Sequence, residues 1–168
     1  LFAGDLLGQS MATSFGLQQF EVPLVGLYGA CSTAGLSLSL AAMTVAAGYA
    51  DLAAAVTSSH FASAEKQFRF PLEYANQRPL CTTWTVTGSG AFVLAGKGKY
   101  YDLTHRDFHE KIFTEDSEDL AYSGWKNDYD VVVSGITTGK ILDYGVRVSM
   151  NMGAAMAPAA MDVIWTHL

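Results

Sequence analysis

Charge is what this 168-residue sequence has least of: Asp, Glu, Lys and Arg make up only 15% of it, against roughly 25% in an ordinary soluble domain. Its ten cations are dispersed, Lys66, Arg69, Arg78 and Lys140 among them, and the net charge is −6. No basic patch is available to neutralise phosphates, which excludes nucleic acid as a partner. Cysteine is nearly absent too. Cys31 and Cys81 form no CxxC pair, which excludes a disulfide framework and fits a reducing cytoplasm. The longest apolar tract, 35–47, is broken by serines and falls short of the roughly 20 residues that span a bilayer. Within these residues no signal peptide, internal repeat or low-complexity segment is expected.

Apolar material is abundant. Half the residues are hydrophobic and the mean hydropathy is +0.19, so the chain is expected to bury more surface than a lone domain would, against a partner or further sequence. It opens on "LFAGDLLGQ" and closes on "MDVIWTHL", which read as the middle of a strand and the middle of a helix. The expectation is one incomplete domain over 1–168.

Along the chain, "LFAGDLL" predicts a buried strand, followed by a helix over 8–20. "PLVGLYGA" predicts a second strand, buried on both faces. "CSTAGLSLSLAAMTVAAG" is apolar almost all round and ends at Gly48, so it predicts a buried central helix. "DLAAAVTSSH" predicts a third strand over 52–57. Strand, helix, strand, helix, strand with short links is the pattern of a parallel α/β sheet. "TTWTVTGSGAFVLAG" predicts an antiparallel strand rejoining that sheet, with glycines that let backbones approach closely. The charged stretch 102–130 predicts a surface excursion, "VVVSGITTGKILDYG" a further strand, and "MNMGAAMAPAAMDVIWTHL" a second buried helix.

Cys31 sits where a strand turns into a helix, the elbow that exposes a nucleophile at a sheet's carboxyl edge. The helix start puts N–H groups and partial positive charge beside the sulfur, and the same groups suit a carboxylate or an oxyanion. A free cysteine packed as a small hydrophobe is the competing reading. Ser58, Ser59 and His60 end the next strand at the same edge, where ligands collect in open α/β sheets; a satisfied loop histidine is the plainer reading of His60. Arg69, between Phe68 and Phe70, offers a guanidinium suited to a bidentate carboxylate, or else pairs internally within a solvated loop. "TGSG" lacks the GK[ST] of a phosphate loop. His105 and His109 share a helical spacing without a third ligand, which disfavours a metal site.

The stretches "GLYGACSTAGLSL", "VTSSHFASAEKQFRFPLEY", "NQRPLCTTWTVTGSGAFVL" and "MNMGAAMAPAAMDVI" resemble the stage V sporulation protein AD family, a thiolase-like family of endospore-forming bacteria. The motif SSHxxxAExQFRxPxEY is the specific part, since ordinary thiolases and ketoacyl synthases lack it. The likeness runs over 1–98 and 136–168; residues 99–135 match less well and are expected to be a surface insertion. The resemblance implies a dimeric αβαβα sandwich of two similar halves, with this chain supplying most of the N-terminal half and the C-terminal half absent.

It also implies a non-catalytic subunit that binds dipicolinic acid, alone or as its calcium chelate, in a sporulation transport complex. The expected ligand residues are Cys31, Ser32, Ser59, His60, Arg69 and Tyr74, with Glu65 and Glu73 available to calcium and no other cofactor. Aromatic neighbours such as Phe68, Tyr74 or Trp84 would stack on a pyridine ring. Expected partners are the other subunits of that complex and a second copy of the chain. The chain would sit peripherally at the inner forespore membrane through protein contacts, because anionic lipid attracts basic segments rather than an acidic surface. Two other readings remain: an acyl-transferring condensing enzyme with Cys31 as nucleophile, disfavoured by "SSHF" after the third strand, and a scaffold whose pocket is vestigial.

Overall fold

The computed structural model describes residues 1–60, 86–96, 132–147 and 151–168. Strand β1 (Phe2–Asp5) is followed by helix α1 (Met11–Leu17), a 3₁₀ turn at Gln18–Phe20, and strand β2 (Val25–Gly26). A second 3₁₀ turn, Ala30–Ser32, leads into α2 (Thr33–Ala46), then β3 (Leu52–Ser59), β4 (Gly88–Ala95) and α3 (Met152–His167). The sheet runs β2-β1-β3-β4. β1 pairs in parallel with both β2 and β3, while β4 adds antiparallel to β3 along its full length, from Leu52 opposite Ala95 to Ser59 opposite Gly88. The expected α/β class, with a mixed and mainly parallel sheet, is what the chain adopts.

Several elements differ from expectation. The helix expected over 8–20 begins only at Met11, because the Asp5 carboxylate takes the N–H groups of Leu7 (3.0 Å), Gln9 (3.2 Å) and Ser10 (2.6 Å) and closes a tight loop first. Gly8 (φ +69°) and Ser10 (φ 57°) turn left-handed inside that loop. The strand expected over 23–30 shrinks to Val25–Gly26, and both residues are exposed. It forms the sheet edge, so only β1 covers it, and the chain leaves the ladder after Leu27 donates to Ala3 (2.8 Å). β3 runs two residues longer than expected.

α2 starts two residues after Cys31 and ends in a Schellman turn. Gly48 (φ +76°) donates to Val45 and Tyr49 to Thr44, which satisfies carbonyls of the last turn. Its expected burial on all sides is overturned. The helix buries one stripe, Thr33, Ser37 and Ala41 at four-residue spacing, whereas Leu36 and Met43 are exposed. A helix lying on one face of a sheet covers only the stripe that meets it.

Among the described residues the buried apolar core is made of alanine: Ala3, Ala41, Ala53 and Ala55. Phe2, Leu38, Val45 and Leu94 pack around the three of these that cluster where α2 crosses β3. Such small residues let α2 lie close on the strands. Gly4 is the tightest approach, since a Cβ there would stand 2.1 Å from the Leu27 carbonyl oxygen and 2.9 Å from Thr33 Cγ2.

Two further expectations fail. Residues 132–145 of the expected strand "VVVSGITTGKILDYG" form no strand. β-branched residues favour a strand only where a neighbour pairs with them, and this segment instead lies along α3, with Gly139 against Val163 and Thr137 bonded to His167 (2.6 Å). Lys140 pairs with Asp162 at 2.8 Å; that hydrogen bond and the carboxylate's charge raise the lysine's pKa. α3 is capped by the Asn151 side chain, which accepts from the Ala154 N–H (3.1 Å). It buries none of its residues, contrary to expectation.

Candidate ligand cleft at the carboxyl edge of the sheet

The parallel strands β1, β2 and β3 all end at one edge of the sheet, and antiparallel β4 starts there. The connection from β1 leads outward to β2, while the one from β2 returns across β1 to β3. Where connections diverge in this way, the loops part and leave a crevice at the carboxyl ends.

A cleft of about 400 Å³ occupies that place. Its walls are Leu6 after β1, Ala30, Cys31, Thr33 and Ala34 around the start of α2, Thr57–Ser59 at the end of β3, and Val86 with Gly88–Gly90 at the start of β4. The volume suits a small organic ligand. Among the described residues, none of the lining side chains is charged.

The elbow that carries Cys31 is tightly held. Ala30 is left-handed (φ 47°). The Gly29 carbonyl accepts from both the Ser32 hydroxyl (2.6 Å) and the Ser32 N–H (2.9 Å). Thr33, 3% exposed, accepts the Gly29 N–H at its hydroxyl (3.1 Å) and donates to the Ala30 carbonyl (2.8 Å). Cys31 itself is a free, exposed thiol. Across the cleft, the Ser59 hydroxyl donates to the Val86 carbonyl, which ties β3 to the segment before β4. The Leu6 N–H donates to the Ser58 carbonyl (3.0 Å).

Of the residues expected from sequence, Cys31 and Ser59 meet in this cleft. Ser32 adjoins it, with its hydroxyl proton directed at Gly29. His60 is exposed just past the end of β3 and does not line the cleft. Arg69, Tyr74, Glu65 and Glu73 lie outside the described residues, as do Phe68, Trp84, Cys81, His105, His109 and most of 99–135. Among the described residues no three His, Cys, Asp or Glu side chains gather as a metal site.

Sequence reasoning missed Thr33, the residue that closes the elbow, and Ser89, which stands opposite Ser58 in the ladder. Ser89 is legible in the sequence, because "TGSG" lies within the stretch that predicts the antiparallel strand. The role expected of its glycines is corrected: among the described residues, a Cβ at Gly88 or Gly90 meets nothing within 4 Å. Among the described residues, no backbone approaches these glycines closely, and they leave the cleft wall bare.

The arrangement joins a thiol, several hydroxyls and the start of a 14-residue helix, whose Ser32 and Thr33 N–H groups bind the Gly29 and Ala30 carbonyls, on one small, largely apolar wall. Such a wall recognises a carboxylate or a carbonyl oxygen that gains charge. The family model for stage V sporulation protein AD matches residues 1–168. The chain belongs to the stage V sporulation protein AD family. A stage V sporulation protein AD from Bacillus subtilis (strain 168) is 36% identical over 167 residues, which is 99% of this chain and 40% of that relative. The chain thus spans about two fifths of the length of the curated relative it matches. The family's name supports a sporulation-related role.

Proposed function

We propose that the chain carries the ligand cleft of a non-catalytic sporulation protein that binds dipicolinic acid, or its calcium chelate, for transport into the forespore. The observation that carries the reading is the cleft itself: a helix start, Cys31 and a hydroxyl-lined strand end converge at one sheet edge in a member of this family. Backbone amides at the start of α2 suit one carboxylate of a planar dicarboxylate. The cation for the second is assigned to Arg69, and Tyr74 is assigned to the ring face. If calcium travels with the ligand, it does so as cargo, and Glu65 and Glu73 are the carboxylates proposed to complete its oxygen shell.

The thiolase-like sandwich and the homodimer belong to the same proposal. So does a peripheral place at the inner forespore membrane through the other subunits of the complex. Among the described residues no helix is long and apolar enough to cross a membrane.

An exposed thiol at a helix start favours one second reading, acyl transfer through Cys31. Titration calorimetry separates the two, using dipicolinate with and without calcium on the full-length protein and its Cys31→Ala and Arg69→Ala variants. Micromolar-range binding that persists in Cys31→Ala and collapses in Arg69→Ala is the expected result. Absence of dipicolinate binding, together with stable labelling of Cys31 by an acyl thioester, replaces transport by acyl transfer.

A further inference from the structure

Left-handed backbone at a non-glycine residue is disfavoured by contact between Cβ and the neighbouring peptide, and it persists only where its surroundings hold it. Ala30 adopts it one residue before Cys31. The Thr33 backbone N–H donates to the Ala30 carbonyl and Ser32 binds the Gly29 carbonyl, but one side chain spans the turn. The Thr33 hydroxyl accepts from Gly29 N–H on one side of Ala30 and donates to the Ala30 carbonyl on the other. That carbonyl belongs to the Ala30–Cys31 peptide. A trans peptide is planar, so pinning its oxygen also sets the direction of the Cys31 N–H and the place of the Cys31 Cα. The Thr33 hydroxyl is buried and uses both its donor and its acceptor in the clamp. Its methyl group does a different job, packing 2.9 Å from where a Cβ on Gly4 would stand, and so keys the elbow onto β1.

We infer that Thr33 is a positioning residue of the cleft: its hydroxyl locks the left-handed turn at Ala30 and thereby fixes Cys31 in the cleft wall. The inference rests on the ligand-binding reading for its consequence on affinity, though its effect on the thiol does not need that reading. Thr33→Val removes the hydroxyl and keeps the methyl shape, whereas Thr33→Ser keeps the hydroxyl and removes the methyl. Hydroxyl and packing roles therefore give opposite orders for the two variants.

The test is the rate of Cys31 alkylation by iodoacetamide in the folded full-length protein, followed by mass spectrometry of the peptide, beside dipicolinate calorimetry on the same samples. Loss of both hydroxyl hydrogen bonds reduces the population of the held elbow, so alkylation in Thr33→Val slows by roughly tenfold, and dipicolinate affinity weakens to a similar degree through the displaced Cys31 N–H rather than through the thiol. Thr33→Ser restores both, even where its melting temperature falls. An unchanged alkylation rate in Thr33→Val overturns the inference, as does a loss in Thr33→Ser that equals the loss in Thr33→Val. Should Thr33→Val fail to fold, a tenfold change in Thr33→Ser alone overturns it, and a wild-type rate there upholds the dispensability of the methyl that the inference requires. Absence of dipicolinate binding in the wild type sinks the ligand reading and leaves the alkylation result to decide the role of Thr33.

Discussion

Asp5 shows how one side chain decides where an element begins. Its half-buried carboxylate takes three backbone N–H groups, those of Leu7, Gln9 and Ser10, in a loop whose two left-handed residues would otherwise open. Hydrogen bonds to a charged acceptor are the stronger kind. Asp5→Ala is therefore expected to destabilise the full-length protein by about 1–3 kcal/mol in urea denaturation. Amide exchange should quicken at Leu7, Gln9 and Ser10 in particular. Asn retains one accepting oxygen, so Asp5→Asn should fall between the wild type and Ala. A loss in Ala without faster exchange at those three amides would mean the carboxylate acts elsewhere. At this scale the placement of Cys31 and Ser59 at one sheet edge was legible, because a strand end followed by small polar residues marks the carboxyl edge of a parallel sheet. Thr33 was not, because its role depends on the backbone turning left-handed at Ala30, and alanine carries no signal for that turn as glycine would.

Among the elements, the contact of α2 with the sheet carries the buried core, and it is made of small residues. Ala41 is wholly buried in a cluster with Ala53 and Ala55 on β3. A leucine there has no space without moving the helix off the strands, so Ala41→Leu is expected to destabilise by about 1–3 kcal/mol, read as a lower thermal midpoint of the full-length protein. Displacement of α2 also moves its first turn, and Cys31 alkylation should change in the same variant. A wild-type midpoint in Ala41→Leu would show that α2 is free to shift. The order of strands and helices up to β4 was legible because apolar runs of strand length alternate with a small-residue helical tract between glycine stops. What failed, failed for want of a neighbour. The run 132–145 has the composition of a strand but, among the described residues, no ladder to join, and the tract 8–20 has helical residues at its start whose amides Asp5 claims first. Composition reports which conformations a segment tolerates; the partner that selects one lies elsewhere in the chain.

For the molecule as a whole, apolar surface outweighs the charge available to keep copies apart. Both outer strands of the sheet expose apolar side chains, Val25 beside Leu24 and Tyr28 at one edge and Phe92 with Val93 at the other, while Leu36 and Met43 face outward on α2. Edge strands of this kind are templates for pairing with another chain, and contiguous apolar surface drives association. A net charge of −6 opposes contact only over about 8 Å at physiological ionic strength. The 168-residue chain prepared by itself is therefore expected to enhance the fluorescence of an apolar dye and to give a light-scattering mass that grows with protein concentration. Salt should strengthen the association, because screening weakens the repulsion and leaves burial of apolar surface intact. A strictly monomeric 168-residue chain, silent to the dye at both low and high salt, would show instead that these side chains are protected within the chain itself.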